Sequence, residues 1–177
     1  RVLGVIRPST EQIGDLTKTN CVGILGTLGT INSSSYPIEL AKFAPQIVVE
    51  QLACPLWVPL IENNSFDSVA GKMIIEEDVT TLVNKNKNID TIILACTHYP
   101  VVQSYIQSLV GEKCKVIAQG PIVAEKLQEY LIRHPWMEEQ ISSSGQVTYF
   151  TSENKLIFDQ TASIFLNQEV NSSHISV

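Results

Sequence analysis

The sequence lacks the features that mark membrane, secreted and metal-binding proteins. No apolar run approaches the length of a membrane span, and no segment reads as a signal peptide. The four cysteines form no CxxC pair and no zinc-ligand spacing. Reduced thiols in the cytoplasm are therefore the simpler interpretation, and no metal site is expected.

Basic residues are also scarce. Twelve Lys and Arg residues stand against 18 Asp and Glu residues, which gives a formal net charge of −6. This balance argues against nucleic acid or an anionic membrane as a partner. With 44% hydrophobic and 17% charged residues, the 177-residue chain has the composition of a globular protein with one real core and room for a second lobe.

The fingerprints of nucleotide-binding loops are missing as well. No GxGxxG and no Walker motif occurs. Residues 26–30 instead place two glycines and two threonines between a strand predicted over 21–26 and a helix predicted over 36–43. Hydroxyl and backbone N–H groups at such a junction can bind an anion. By pattern alone, a tight turn with threonine caps is the better interpretation.

The strongest pattern in the chain is the stretch 89–100. Residues 91–96 are apolar or β-branched without alternation, which is typical of a parallel strand buried on both faces. Pro100 then opens a predicted helix over 101–110 with one apolar stripe. Cys96, Thr97 and His98 therefore lie at the carboxyl end of a strand, where open α/β sheets bind ligands. The N–H groups of the helix end favour a thiolate there.

Strands and helices alternate along the rest of the chain. Further strands are predicted over 2–6, 46–53 and 115–118, and residues 147–150 favour β structure. Further helices are predicted over 11–18 with Ser9 or Thr10 as the cap, and over 66–83, 122–133 and 156–166. Two prolines predict an irregular apolar loop over 54–62, residues 142–145 read as a flexible turn, and the tail from residue 167 is expected to fray. This order predicts an α/β fold, a parallel open sheet with helices on both faces.

Four ordered motifs resemble those of the glutamate racemase family of cofactor-independent amino-acid racemases. They are GVIRP at 4–8, VGILGTLGTI at 22–31 followed by Tyr36, CPLWVPLIE at 54–62, and LACTHYP at 94–100, which is similar to the family's LGCTHYP. The resemblance covers the carboxyl-terminal two-thirds of the family and implies an aspartate/glutamate racemase-like fold. It implies that residues 1–117 form the second α/β domain and that residues 118–177 return to the first domain. The chain begins inside a predicted strand without Met, so we expect it to be the carboxyl-terminal part of a longer protein.

The resemblance implies a two-cysteine mechanism that needs no cofactor. One thiolate removes the α-proton of glutamate, and a thiol on the opposite face delivers another, which supplies D-glutamate for peptidoglycan. Cys96 matches one of these cysteines, His98 assists its proton transfers, and Glu62 matches a carboxylate that orients the histidine. The substrate-binding positions that the resemblance implies are Thr27, Thr30, Thr97 and His98.

The family's other catalytic cysteine has no counterpart here. Its Asp-Ser and Ala-Cys-Asn-Thr motifs do not occur in the sequence. Cys21 lies in an apolar strand, Cys54 precedes a proline in the 54–62 loop, and Cys114 lies in a charged, surface-like run. None of them matches the partner thiol, so the 177 residues alone are expected not to racemise.

Several alternatives remain open at the level of sequence. Without the resemblance, Cys96 reads equally well as a buried thiol. A structural histidine is the better interpretation of His98 until Cys96 and Glu62 are considered with it, and Glu62 alone reads as a solvated carboxylate. Rival functions are a racemase of aspartate or a related small acid, a cysteine hydrolase, and a non-catalytic domain that binds a small dicarboxylate or an apolar partner. Adjacent Cys96 and His98 suit a hydrolase poorly. The apolar 54–62 loop is typical of packing against a second lobe or a neighbouring subunit, so a homodimer is compatible with the sequence.

Overall fold

The larger of the two sheets in the described part of the chain has four parallel strands. The computed structural model describes residues 4–142 and 144–176. The strands lie in the order β2-β1-β3-β4, and every pair is parallel. Their bounds are Cys21–Gly26 for β1, Val48–Ala53 for β2, Thr91–Ala95 for β3 and Lys115–Ala118 for β4. The parallel sheet confirms the predicted fold class.

Helices connect these strands and continue the chain beyond them. They are α1 Ile6–Leu16, α2 Leu28–Asn32, α3 Ser35–Phe43, α4 Trp57–Glu62, α5 Val69–Lys85, α6 Gln103–Val110, α7 Gln119–Arg133, α8 Pro135–Glu138 and α9 Lys155–Leu166. Two 3-10 turns, Tyr99–Val102 and Gly111–Lys113, flank α6, and two short parallel strands, β5 Phe150–Thr151 and β6 Ser173–His174, flank α9. Within the described residues, no helix is both long enough and apolar enough to span a bilayer.

Helices cover both faces of the sheet. Successive strand residues point to opposite sides, so apolar strands present apolar side chains on each face. On one face, Ile24 and Ile93 belong to a buried cluster with side chains of α1, α3 and α7. On the other face, a Cβ added to Gly23 would lie 2.8 Å from Leu82 of α5, so helix and strand approach closely there. Strands β1 and β3 are buried along their whole length, as continuous apolar runs require.

The amino-terminal prediction was wrong. Residues 2 and 3 of the predicted first strand lie outside the described residues, and Ile6 already begins α1. Ser9 and Thr10 do not cap this helix. They lie inside it and donate hydrogen bonds back to the carbonyls of Val5 and Arg7, at 3.2 and 2.9 Å. Such back-bonding satisfies both hydroxyls within the helix, so their cap-forming chemistry misled the prediction.

The stretch 54–62 is also more regular than predicted. Residues from Trp57 onward form α4, with Pro59 as the third residue of the helix. The N–H groups of a first helical turn have no intrahelical partner, so a proline there removes no hydrogen bond. Likewise, the predicted turn after Thr27 contains the short helix α2.

The chain divides into two compact units, one ending at Tyr130 and the other beginning at Leu131. In the second unit, α9 confirms the predicted last helix, but the expectation of a frayed tail was wrong. Residues Ser173–His174 pair with β5, and Val170 and Ser172 are buried. Of the β-prone residues 147–150, only Phe150 lies in a strand, and one residue of the predicted turn 142–145 lies outside the described residues.

Candidate functional site

Two neighbouring strands bring the predicted site residues to one edge of the sheet. Strand β1 ends at Gly26, directly before Thr27, and β3 ends at Ala95, directly before Cys96. Gly26 and Ala95 are paired in register, so the two junctions lie side by side, about 5 Å apart at the sheet. The chain leaves β1 towards one side of the sheet and β3 towards the other. This edge is therefore the topological switch point, where α/β proteins form ligand crevices.

At this edge His98 lies between a thiol and a carboxylate. Its Nδ1 atom is 3.9 Å from Cys96 Sγ, and its Nε2 atom is 3.1 Å from Glu62 Oε1. The side chains of His98 and Glu62 are 28% and 51% exposed, and Cys96 is partly exposed, so all three reach solvent. An imidazole placed between a carboxylate and a thiol can pass protons to and from sulfur.

Three threonine hydroxyls complete the edge. Thr27 caps α2 by accepting a hydrogen bond from the Thr30 backbone N–H at 3.3 Å, and the two hydroxyls are 3.0 Å apart. Thr97 is exposed, with its hydroxyl 3.5 Å from His98 Nδ1. These hydroxyls lie on the two junctions that β1 and β3 bring together, where they can donate hydrogen bonds to a carboxylate.

The other three thiols are buried away from solvent. Burial raises the pKa of Cys21, of Cys54 and of Cys114, the last to about 11, so each stays protonated at neutral pH. The negative charge of Asp78 raises the pKa of Cys54 further. Cys114 was expected in a surface-like run, but it is only 5% exposed because its side chain turns inward beside charged neighbours. All four cysteines are unpaired.

Comparison of the whole chain with known proteins identifies its relatives. Glutamate racemase from Streptococcus pyogenes serotype M2 (strain MGAS10270) is 34% identical over 176 residues, which is 99% of this chain and 66% of that protein. The chain belongs to the glutamate racemase family. It spans a little less than two-thirds of the length of the curated racemases it matches, the share implied by the sequence resemblance. No family model matches the chain.

Solved structures of glutamate racemases share the fold. Isoform RacE1 from Bacillus anthracis superimposes with a TM-score of 0.87 at 28% identity, over 99% of this chain and 65% of that one. The enzyme from Francisella tularensis subsp. tularensis SCHU S4, solved in complex with D-glutamate, gives a TM-score of 0.80 at 24% identity, over 98% of this chain and 62% of that one. The sheet and its helices are therefore those of the racemase fold.

Beneath the site of this racemase-family chain lies a second layer that sequence reasoning missed. The indole N–H of Trp57 donates to Asp78 Oδ2 at 2.7 Å, and the Tyr99 hydroxyl donates to the Cys54 carbonyl at 3.0 Å. The Trp57 and Tyr99 rings pack against each other with centroids 4.8 Å apart. Asp78 is not among the site residues that the sequence predicted.

A sequence signal for Asp78 did exist. Ile75, Val79 and Leu82 are the apolar side chains that α5 buries, and Asp78 shares their helical face. A carboxylate on an apolar stripe needs a hydrogen-bonding partner, because burial without one is costly. Sequence alone could not identify that partner as Trp57, which lies 21 positions earlier.

Two buried phenols lie close to the thiol. Burial raises the pKa of both Tyr36 and Tyr99, and the electrostatic influence of the neighbouring Cys96 side chain raises each further. Both tyrosines therefore stay neutral at physiological pH. Beside Cys96, the imidazole of His98 reaches solvent, and so does the carboxylate of Glu62 on the far side of the ring.

Proposed function

We propose that this chain carries one of two thiols with which a glutamate racemase interconverts L- and D-glutamate. The observation that supports this function most directly is the contact of a partly exposed Cys96 with His98, which in turn contacts Glu62, at the switch point of the sheet. Membership of the glutamate racemase family supplies the reaction class and the substrate.

In the proposed reaction, Cys96 acts on one face of the substrate. As a thiolate it takes the α-proton, so the Cα–H bond breaks, the S–H bond forms, and the electron pair stays on the substrate carbanion. A second thiol then gives its proton to the opposite face and is left as a thiolate. In the reverse direction Cys96 is the thiol that donates. His98 assists by exchanging a proton with the Cys96 sulfur, and Glu62 orients the imidazole from its other nitrogen.

Substrate binding is proposed for the threonines and the histidine at the same edge. The hydroxyls of Thr27 and Thr30 lie on the β1 junction and that of Thr97 lies on the β3 junction, so a carboxylate placed between the strands meets donors from both sides. His98 would contact the substrate as well as the thiol. The geometry supports these assignments because β1 and β3 are direct neighbours in the sheet order β2-β1-β3-β4, so no strand separates the two junctions.

The second thiol is proposed to lie in a further segment of the full-length protein. That segment would correspond to the part of the relatives, about one-third of their length, that this chain does not match. Cys21, Cys54 and Cys114 are poor candidates, because each is buried and protonated. We also propose that residues 1–117 are the second α/β domain of the racemase fold and that residues 118–177 return to the first.

The proposed cellular role is the supply of D-glutamate for peptidoglycan, as the family resemblance implies. A cytoplasmic location is proposed from the four unpaired thiols, which are typical of a reducing compartment. A small amino acid is the proposed ligand.

Isotope exchange tests the proposed function. The full-length protein that contains this chain, incubated with L-glutamate in D₂O, should form D-glutamate and incorporate one deuterium at the α-carbon. Cys96→Ala should abolish racemisation and keep the far-UV circular dichroism spectrum, whereas Cys114→Ala should retain turnover. Wild-type turnover in Cys96→Ala would refute the assignment. Saturable glutamate binding without exchange would make the protein a binder, and higher kcat/KM on aspartate would make it a related small-acid racemase.

A further inference from the structure

The two groups that serve Cys96 come from different elements. Glu62 is the last residue of α4, and His98 directly precedes the 3-10 turn Tyr99–Val102. Both side chains are partly exposed, and even a fully charged exposed pair contributes only about 0–1 kcal/mol. The 3.1 Å contact between them is therefore too weak to hold α4 and the turn at a fixed separation, and something beneath it must do so.

The aromatic pair Trp57–Tyr99 joins the same two elements. Trp57 is the first residue of α4 and Tyr99 is the first residue of the turn, and both side chains are fully buried. Their rings lie 4.8 Å apart with an interplanar angle of 54°, a favourable tilted arrangement. Glu62 is five residues after Trp57, about 7.5 Å along the helix axis, and His98 is the neighbour of Tyr99. A shift of either ring therefore moves one partner of the Glu62–His98 contact.

A polar contact fixes each ring in place. The Tyr99 hydroxyl donates to the Cys54 carbonyl at 3.0 Å, and the Trp57 indole N–H donates to Asp78 Oδ2 at 2.7 Å. Burial leaves the pKa of Asp78 above its usual value, and the indole hydrogen bond opposes this shift because it stabilises the carboxylate. Loss of this acceptor would leave a buried N–H unpaired, which costs about 1–3 kcal/mol and is relieved if the ring moves.

We propose that Asp78 is a positioning residue for proton transfer, which holds Trp57 against Tyr99 and so sets the distance between Glu62 and His98. This inference rests on the proposed function. Asp78, Trp57 and Tyr99 lie in the buried layer, and their effect on the reaction is transmitted through the Glu62–His98 contact.

Steady-state kinetics of the full-length protein test the proposal. Asp78→Ala should lower kcat about tenfold, because small misplacements of catalytic groups are costly, and should leave KM within about twofold. Asp78→Asn keeps an amide oxygen that accepts the indole N–H, so it should restore kcat to within about twofold of wild type. Glu77→Ala removes an exposed carboxylate from the next position of α5 and should leave kcat unchanged.

Coupling to Glu62 separates positioning from general destabilisation. If Asp78 acts through Glu62, then Asp78→Ala added to Glu62→Gln should lower kcat by less than about twofold more, whereas independent effects would multiply. A full tenfold additional loss, or failure of Asp78→Asn to restore kcat, would overturn the proposal. Should Asp78→Ala fail to fold, Trp57→Phe removes the same N–H, keeps an aromatic ring, and should show the same coupling.

Alkylation of Cys96 gives a readout that does not depend on racemisation. At neutral pH, iodoacetamide should modify Cys96 at least about threefold more slowly in Asp78→Ala than in wild type, Asp78→Asn or Glu77→Ala, because His98 is no longer held beside the sulfur. If wild type alkylates as expected but does not racemise, the proposed function fails and the positioning role stands. Equal alkylation rates in all four proteins would refute the positioning role, whatever their activity.

Discussion

The two ring nitrogens of His98 have different neighbours, a sulfur atom at 3.9 Å and a carboxylate oxygen at 3.1 Å. The imidazole therefore has one side from which a proton can reach Cys96 and one side that is held by Glu62. In the proposed reaction, both residues assist the thiol that serves one face of glutamate. A defect in either should affect the two directions of the reaction differently, although L- and D-glutamate are equally stable.

Variants of these two residues should therefore change kcat unequally in the two directions. For His98→Asn and Glu62→Gln we expect losses of about 10²-fold or less, larger in the direction in which proton transfer at Cys96 limits turnover. The ratio of kcat/KM values for the two enantiomers must stay at one, because the equilibrium constant of a racemisation is one. Initial rates with each enantiomer, followed by circular dichroism, measure this. Equal kcat losses in both directions would contradict a role specific to Cys96.

Asp90 makes stability depend on pH at a site remote from the chemistry. Its carboxylate accepts hydrogen bonds from the Thr17 hydroxyl at 2.6 Å and from the Lys18 and Thr19 backbone N–H groups at 2.7 and 2.9 Å. Partial burial by itself raises the pKa of Asp90, but these hydrogen bonds outweigh burial and leave the pKa below its usual value. Because the folded pKa is lowered, the stabilisation is present above the unfolded value, near 4, and is lost as pH falls through the folded pKa.

The variant Asp90→Asn should therefore lose stability at pH 7 and much less at pH 3. Urea unfolding of both proteins at each pH measures the difference, which we expect to be about 1–3 kcal/mol at pH 7. Thr17→Val removes one of the donors and should give a smaller loss with the same pH trend. A difference that is the same at both pH values would show that the carboxylate charge is not what stabilises this turn.

At the scale of elements, the start of α5 shows how a cap constrains its neighbours. Ser68 caps the helix by accepting from the Gly71 N–H at 3.0 Å and donates to the Ser65 carbonyl at 2.6 Å. This double contact brings the Ser65 carbonyl against the helix. A Cβ on Gly71 would lie 2.3 Å from that oxygen and 2.9 Å from the Phe66 oxygen. The backbone of Gly71 is helical, so its conformation does not require glycine. The lack of space for a Cβ does.

We therefore expect Gly71→Ala to destabilise the protein by about 1–3 kcal/mol, although alanine is the better helix former by about 1 kcal/mol. The clash is with backbone atoms, which move only if the cap is lost. Gly120→Ala in α7 is the matched control, because nothing lies within 4 Å of its added Cβ, and it should be neutral or stabilising. Urea midpoints of both variants decide the point, and a stabilising Gly71→Ala would contradict the packing at the helix start.

At the scale of the whole molecule, the fold separates one accessible thiol from three protected ones. The protection comes from the sheet and its covering helices, which leave Cys21, Cys54 and Cys114 at most 5% exposed. Under native conditions we expect iodoacetamide to label Cys96 more than about tenfold faster than the others, as judged by peptide mapping. In urea above the unfolding midpoint, all four thiols should react at similar rates. Native labelling of a buried thiol at the Cys96 rate would show that the sheet opens locally.

The sequence predicted strands and helices well where a hydrophobic pattern, either a continuous apolar run or a helical stripe, was uninterrupted. Strands 21–26 and 115–118 and the last helix were found within a residue or two, because continuous apolar runs and helical stripes depend on local sequence. Prediction failed at Ile6 and Pro59, where local cues favoured the wrong structure. A proline in a first helical turn and hydroxyls that bond back within a helix are both compatible with α structure, and only the surrounding packing shows that α4 and α1 form.

The sequence alone determined which side chains lie at the strand ends. Thr27 and Cys96 lie where the apolar runs of the first and third strands come to an end. The sequence therefore located the chemical groups of the candidate site along the chain. Only the tertiary structure decided that β1 and β3 are neighbours, that Glu62 reaches His98 across 36 positions, and that Asp78 holds Trp57 beneath them. These contacts depend on how separate elements pack, and packing is a property of the whole sheet that no local stretch of sequence contains.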